Sequence, residues 1–215
     1  MKILIIDYKA GNIQSVINAI ATTSPESNIV VSSKIQDLRD ADKIILPGVG
    51  AFNDCMDGIN KVQGLAEEIR YQSRVVKKPF LGICVGMQVL ASEGFENGSC
   101  KGLNLIEGEV RKIDLKENVN NLKIPQMGWN SLEIKKPHPI LRGIKEGQDF
   151  YFANSYHFIC YNSSLVVAQV DYSFKMNAIL ARENIFAIQF HPEKSGESGL
   201  QIINNFLNLT NDQCS

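Results

Sequence analysis

One stretch, residues 78–88, constrains the fold of this 215-residue sequence more than any other. A short apolar run before Cys84 predicts a buried β-strand, and apolar residues at helical spacing after it predict a helix. Gly82 and Gly86, two positions to either side, give the backbone room for a sharp turn. Cys84 therefore lies at a strand-to-helix elbow, where the amino end of the helix favours a thiolate. This position makes Cys84 a candidate nucleophile, and the alternative is an ordinary buried thiol.

Length and composition narrow the class of protein. With 44% hydrophobic residues, 215 residues predict a single globular domain over residues 1–215. The net charge of -1 gives no electrostatic footprint for nucleic acid or an anionic membrane. Asp7 interrupts the first apolar run too early for a signal peptide, so we expect a cytoplasmic protein. The five cysteines lack Cys-x-x-Cys spacing, which argues against a disulfide framework and a zinc site.

The first half of the chain alternates short apolar strands with amphipathic helices. Strands are predicted at residues 2–6, 28–31, 43–46 and 80–83, and helical periodicity at 13–20 and 52–59, continuing after Gly64 to 69. Such alternation indicates a parallel sheet.

Beyond Gly94 the pattern changes to runs separated by polar turns, which predict antiparallel strands. These runs are 109–115, 129–134, 150–156, 165–170 and 177–190, the last a hairpin turning near Glu183, and a closing amphipathic helix is predicted at 200–207. The predicted fold is a three-layer α/β domain. Its central, mostly parallel sheet has helices on both faces, and a smaller antiparallel sheet is inserted in its second half.

Of the three histidines, His191 is the best candidate for a base. It follows the apolar run 185–190, at a strand end where it can meet the ends of other strands. Glu193, two residues on, can orient the imidazole, and cysteine, histidine and acid together form a triad for acyl transfer. The alternative for His191 is a capping role at the strand end. We interpret His138 as a turn residue and His157 as a strand residue.

The glycine-rich segment Pro47-Gly-Val-Gly50 follows the third predicted strand. Its backbone N–H groups can reach a tetrahedral oxyanion without hindrance from side chains. Taken alone, such glycines indicate only a turn.

The motifs Gly82-Ile-Cys-Val-Gly-Met-Gln88, His191-Pro-Glu193 and Pro47-Gly-Val-Gly50 together resemble the class I (triad) glutamine amidotransferases. Members of that family hydrolyse glutamine through a γ-glutamyl thioester and pass ammonia to a synthase. Met127-Gly-Trp-Asn130 and His191-Pro-Glu-Lys-Ser195 narrow the resemblance to the glutaminase subunits of imidazole glycerol phosphate synthases. The similarity covers essentially the whole chain.

This resemblance implies roles for particular residues. Cys84 would be the nucleophile, His191 the general base and later acid, and Glu193 the orienting carboxylate. The groups that stabilise the oxyanion or bind L-glutamine would belong to Gly48, Val49, Gly50, Val85, Gln88, Ser155 and Tyr156. No cofactor or metal is implied.

The resemblance also implies a heterodimer with a (β/α)8-barrel cyclase of histidine biosynthesis. Residues expected to face that partner are Asn12, Met127, Trp129, Asn130 and Lys194, although most single tryptophans lie in a core. Two positions depart from the family, because Asn154 and Gln126 stand where histidines are usual. Both are expected on the side of the active-site mouth and the partner.

Because of these departures, a paralogous subunit that supplies ammonia to a sugar amidotransferase of surface polysaccharide synthesis stays open. A non-catalytic binding or regulatory module and a stand-alone cysteine hydrolase of similar fold are the alternatives from other classes.

Overall fold

The computed structural model describes residues 1–8, 12–115 and 122–210. In these ranges the strands are β1 (Lys2–Ile6), β2 (Asn28–Ser32), β3 (Lys43–Gly48), β4 (Phe80–Cys84), β5 (Glu93–Gly94), β6 (Cys100–Lys101), β7 (Gly108–Lys112), β8 (Gln126–Ile134), β9 (Asp149–Asn154), β10 (Tyr156–Cys160), β11 (Val166–Asp171), β12 (Lys175–Arg182) and β13 (Ile185–Ile188). The α-helices are α1 (Ile13–Thr23), α2 (Ile35–Asp40), α3 (Phe52–Lys61), α4 (Leu65–Arg74), α5 (Val85–Gln88) and α6 (Gly196–Leu207).

A nine-stranded sheet of order β2-β1-β3-β4-β13-β12-β11-β8-β9 forms the centre of the described structure. The first five strands of that order are parallel, and the remaining pairs are antiparallel. A second sheet of order β10-β7-β5-β6 is smaller. The predicted α/β class with two sheets is therefore confirmed.

The antiparallel strands are distributed differently from the prediction. Strands β8, β9, β11 and β12 extend the large sheet instead of forming a separate one. The hairpin that turns at Glu183 explains this difference. Its second strand, β13, pairs in parallel with β4, so β12 must lie on the free edge of β13. Strands β11, β8 and β9, which precede β12 in the chain, then add beyond it in that order.

Helices cover both faces of the parallel strands. The chain moves from β1 to β2 in one direction along the sheet and from β2 to β3 in the other, and right-handed crossovers then place α1 and α2 on opposite faces. Helix α1 packs with α6, whereas α2 and α3 pack with α4. Strands β3 and β4 are buried along their whole length, which explains their continuous apolar runs. No helix in the described ranges is long and apolar enough to cross a membrane.

Several local predictions were wrong. The run 150–156 is not one strand, because Ser155 separates β9, which pairs with β8, from β10, which pairs with β7 in the other sheet. Gly64, with φ of 79°, separates α3 from α4, which the sequence pattern joined. Helix α2 was missed because Leu38 is its one buried residue and gives no period. The helix after Cys84 is a single turn.

Gly86 is the position where β3 comes closest to the elbow. A Cβ atom on Gly86 would lie 1.8 Å from the carbonyl oxygen of Leu46. We therefore expect Gly86→Ala to lower the free energy of unfolding by about 3 kcal/mol, because the clash is with backbone that cannot move aside. Gly147→Ala is the control, since its Cβ would meet nothing within 4 Å and only its φ of 76° opposes the change, at about 1 kcal/mol. Urea unfolding of both variants measures the difference, and equal losses would contradict the steric argument.

Candidate active site

The backbone of Cys84 adopts the sharp elbow that the sequence predicts. Its φ of 55° and ψ of -113° are unusual for a residue with a side chain, and such strain is typical of functional sites. Cys84 is the register partner of Gly48, so the nucleophile candidate and the glycine loop share one edge of the sheet. The thiol is mostly buried, with a residue exposure of 3%.

His191 reaches the same edge from the neighbouring strand β13. The His191 backbone N–H donates to the carbonyl of Tyr151 at 2.9 Å, and the Ser195 hydroxyl donates to the carbonyl of His191 at 2.6 Å. Its Nδ1 lies 2.8 Å from Oε1 of Glu193. The other carboxylate oxygen, Oε2, is buried without a hydrogen-bond partner. The predicted cysteine, histidine and acid are thus brought together, with the imidazole held by backbone and carboxylate.

The charge state of His191 depends on its two neighbours. Burial alone would lower the pKa of the imidazole, but hydrogen bonding and charge interactions with Cys84 and Glu193 raise that pKa to about 9. The protonated ring is therefore favoured when the sulfur and the carboxylate carry negative charge. By contrast, burial lowers the pKa of His138 to about 4 and also lowers the pKa of His157. As predicted, His138 lies at a turn and His157 in strand β10.

Two buried side chains form hydrogen bonds with the glycine-rich segment 47–50 at the end of β3. The Tyr8 hydroxyl donates to the carbonyl of Pro47 at 2.8 Å and lies 3.2 Å from Sγ of Cys55. The Cys55 thiol in turn donates to the carbonyl of Val49 at 3.6 Å. Burial raises the pKa of Cys55 to about 11, so the thiol keeps its proton and remains a donor. Gly50, with φ of 89°, ends the loop.

A cavity of about 290 Å³ lies above Cys84. Predicted site residues that line it are Cys84, His191, Val49, Gly50, Val85, Gln88, Ser155, Tyr156, Met127 and Lys194. Glu193 lies behind His191. Gly48, the last residue of β3, packs against the elbow, where an added Cβ would be 2.4 Å from the backbone nitrogen of Gly86. Gln88 donates to the carbonyl of Tyr156 at 3.0 Å.

Sequence reasoning missed three residues of this site. Glu96 lines the cavity, and its Oε2 accepts from the backbone N–H of Phe52 at 2.7 Å. Gln189 is buried beside Cys84, with Nε2 3.9 Å from Sγ. Tyr8 is described above. Gln189 could have been suspected from its position two residues before His191. Glu96 and Tyr8 reach the site only through tertiary contacts.

Of the residues predicted to face a partner, Met127 and Lys194 line the cavity, and Asn130 is partly buried and accepts a hydrogen bond from Gln126. Met127 and Trp129 alternate on the outer side of β8 and are 66% and 55% exposed, so Trp129 is not a core residue. The Trp129 ring meets the edge of Tyr151 with centroids 6.0 Å apart, and Lys194 Nζ lies 5.9 Å from the centroid of the same Tyr151 ring. Asn12 is exposed at the start of α1.

Gln126 corrects one expectation about the departures. It was expected on the partner side, but it is fully buried and pairs in register with Asn154. Its Nε2 donates to Oδ1 of Asn130 at 2.7 Å, and Nδ2 of Asn154 donates to the carbonyl of Tyr156 at 3.0 Å. The two amides therefore occupy one internal site across β8 and β9. Asn154 reaches the cavity wall, whereas Gln126 lies behind it.

A family model described as glutamine amidotransferase class-I matches residues 4–209. The chain belongs to this family. Imidazole glycerol phosphate synthase subunit HisH of Pelagibacter ubique is a class I relative that is 46% identical over 211 residues, with 97% of this chain and 100% of the relative covered. The same-named subunit of Agrobacterium fabrum is 42% identical over 214 residues, with 96% and 98% covered.

Solved structures of low identity share the class I fold of this chain. PurLQS from Thermotoga maritima has a TM-score of 0.71 at 21% identity, with 96% of this chain and 97% of that chain covered. A glutamine amidotransferase from the same organism has a TM-score of 0.61 at 16% identity, with 92% and 78% covered.

His191 of this amidotransferase should titrate far above His138 in an NMR experiment. Because the pKa of folded His191 is raised from 6.5 to about 9, its protonation stabilises the fold fully below pH 6.5, and that contribution is lost as pH rises through about 9. His138 should titrate near pH 4. Glu193→Gln removes one of the two anionic neighbours and should lower the His191 midpoint without moving that of His138. A His191 midpoint below 6.5 in the unaltered chain would contradict the assigned coupling.

Proposed function

We propose that this chain hydrolyses L-glutamine to glutamate and ammonia, with Cys84, His191 and Glu193 as catalytic triad. The observation that carries the proposal is the meeting of Cys84 and His191 in one cavity, with the His191 Nδ1 held 2.8 Å from Glu193. Acyl transfer from a carboxamide requires a sulfur nucleophile, an imidazole that can take up and return a proton, and a carboxylate that orients the imidazole.

The reaction proceeds in two halves. His191 takes the proton of the Cys84 thiol, and the sulfur attacks the carboxamide carbon. The new oxyanion accepts hydrogen bonds from backbone N–H groups of Gly48 to Gly50 and Val85. Protonated His191 gives its proton to the departing nitrogen, so ammonia leaves and a γ-glutamyl thioester remains. His191 then takes a proton from water, the resulting hydroxide attacks the thioester, and glutamate leaves as the sulfur is regenerated. Glu193 keeps the imidazole oriented throughout.

The cavity offers polar groups for the amino-acid end of glutamine. Glu96 presents a carboxylate, one oxygen of which is held by the Phe52 N–H, and we assign it to the substrate α-ammonium group. Ser155 and Tyr156, at the junction of β9 and β10, would contact this end of the substrate through their backbone. Gln88, whose N–H groups are already engaged, would accept from the substrate with its oxygen.

The relatives suggest where the ammonia goes. Proteins 42–46% identical over nearly the whole chain are named as subunits of imidazole glycerol phosphate synthase. We propose that this chain likewise forms a heterodimer with a (β/α)8-barrel cyclase, which makes imidazole glycerol phosphate and AICAR in histidine biosynthesis. Its docking surface would include Asn12, Met127, Trp129, Asn130 and Lys194, of which Met127 and Lys194 line the cavity. A cytoplasmic location remains a prediction.

The other functions considered receive less support. The names of these relatives favour histidine biosynthesis over surface-sugar amidation, and Gln126, one of the two departures behind that alternative, lies inside the protein. The assembled triad speaks against a module that only binds. Two large apolar side chains exposed beside the cavity speak against a stand-alone hydrolase, because such patches usually mark an interface.

Cys84→Ala tests the proposed chemistry. We expect it to lower glutamine-dependent synthesis by the complex at least about a thousandfold, because the nucleophile is lost. Synthesis from added ammonium salt should be unchanged, because the acceptor chemistry lies on the cyclase. Product formation by the reconstituted complex with each nitrogen source measures both. Loss of both activities would show that the acceptor site had been misplaced, and retention of both would remove Cys84 as nucleophile.

Trp129→Ala tests the proposed docking surface. Truncation of an exposed aromatic anchor at an interface typically costs about 2 kcal/mol, so the Kd for the cyclase should rise roughly 30-fold. Tyr161→Ala is the matched control, since Tyr161 is 64% exposed after β10 and does not line the cavity. Calorimetric titration of the cyclase with each variant should show a change of less than about twofold for the control. Similar losses in both variants would argue against this surface.

A further inference from the structure

Gln189 occupies a buried position between the nucleophile and a substrate-binding side chain. It follows β13, which pairs in parallel with β4, so it lies beside the strand that ends at Cys84. The residue is 2% exposed, and its backbone N–H donates to the carbonyl of Ala178 at 2.9 Å. Its side chain contacts both Gln88 and Cys84. The triad mechanism above gives this buried amide no role.

The direction of each hydrogen bond in this cluster follows from one fixed acceptor. A backbone carbonyl can only accept, so the carbonyl of Tyr156 must receive a proton from Nε2 of Gln88, 3.0 Å away. The same Nε2 lies 3.1 Å from Gln189, which must therefore present its oxygen. Gln189 is then left with its N–H groups on the other side, where Nε2 lies 3.9 Å from Sγ of Cys84. The Cys84 sulfur is thus the last acceptor in this series of hydrogen bonds.

Two consequences follow from this order. Both bonds of the Gln88 amide use its nitrogen, so its oxygen is the atom that can accept from a ligand. At the other end, a side-chain N–H directed at a buried sulfur favours the anion over the thiol, because hydrogen bonding to a charged form stabilises that form. The separation of 3.9 Å is long for the neutral thiol, and a thiolate attracts the donor more strongly.

We propose that Gln189 is a positioning residue that fixes the orientation of the Gln88 amide and donates an N–H to the Cys84 sulfur when the sulfur is charged. This inference rests on the proposed glutaminase function, which it deepens. Gln189 would make the substrate-binding amide and the nucleophile parts of one hydrogen-bonded unit.

Other titratable groups near the sulfur also affect its charge. His191, Cys55 and Tyr8 each interact electrostatically with Cys84. Glu96 and Lys194 line the same cavity, and Glu193 contacts His191. Burial, with a smaller contribution from the interaction with Cys55, holds the pKa of Tyr8 well above its usual range, so Tyr8 remains neutral. A change at position 189 therefore alters the pH dependence at the sulfur without removing any of these groups.

Gln189→Glu separates the two roles. It keeps an oxygen for Gln88 but replaces the donor to Cys84 with a negative charge. Alkylation of Cys84 by iodoacetamide, followed on the Cys84 peptide by mass spectrometry from pH 5 to 10, should be about tenfold slower at pH 7, with its midpoint moved to higher pH. Gln169→Glu is the control, since that partly buried amide bonds to Asn177 away from the site, and it should leave the profile unchanged.

Gln189→Met provides the second comparison. It keeps the length of the side chain but has neither the N–H nor the oxygen, so it should also slow alkylation. It should in addition raise the KM for glutamine in the complex about tenfold. Gln189→Glu should instead lower mainly the kcat for glutamine hydrolysis. A change in KM therefore reports loss of the Gln88 contact, and a change in kcat reports loss of the Cys84 contact.

The inference and the proposed function fail in different ways. If both variants alkylate like the unaltered chain while retaining its thermal unfolding midpoint, the role of Gln189 is wrong. If Gln189→Glu lowers that midpoint, Gln189→Met decides the same question. If a glutamine-mimicking diazo-ketone does not label Cys84 in the unaltered complex, the glutaminase function is wrong, and the iodoacetamide profiles still report on Gln189.

Discussion

The close approach of backbone between β3 and the elbow after β4 is the constraint on which the rest of the site depends. Gly86 has no space for a side chain against Leu46, and Gly48 has none against Gly86. This contact brings the glycine loop beside the amides that follow Cys84. It also holds Cys84 in a strained conformation, which costs about 1–3 kcal/mol and persists because the surrounding buried strands fix both of its ends. Glycine is required here by distance, since no other residue lets the two backbones come so close.

The electrostatics of the triad depend on burial as much as on proximity. The side chains of His191 and Glu193 are 5% and 2% exposed, so their interaction is poorly screened by solvent. Burial would leave the imidazole neutral, and the anionic neighbours reverse this effect. Removing a single member of such a cluster leaves the others without compensation. The buried carboxylate oxygen of Glu193 that lacks a hydrogen-bond partner therefore lowers the stability of the fold, as is common at functional sites.

The antiparallel pair β8 and β9 has one side that is exposed to solvent and one side that contributes to the cavity wall. On the outer side, β8 presents Met127 and Trp129 to solvent, an arrangement that favours association. On the inner side, Gln126 of β8 is the register partner of Asn154 in β9, and the Asn154 amide donates to the carbonyl of Tyr156. Since Gln88 also donates to that carbonyl, the outer surface and the cavity wall are parts of a continuous set of contacts. A partner bound at the rim would lie within a few residues of the groups that hold the substrate.

Much of this arrangement could be predicted from the sequence, because its cause is local. The apolar run before Cys84, the flanking glycines and the interval from His191 to Glu193 encode an elbow, a strand end and an imidazole–carboxylate contact within a few residues of chain. The roles of Tyr8, Glu96 and Gln189, the split at Ser155 and the burial of Gln126 could not be predicted. Each depends on which strand lies beside which, a choice made when β13 pairs with β4 and carries β12, β11, β8 and β9 after it. Local patterns in the sequence specify the catalytic groups that the chain can present. The buried polar groups that surround them follow from strand pairing, because hydrogen bonds between distant residues leave no period or spacing in the chain.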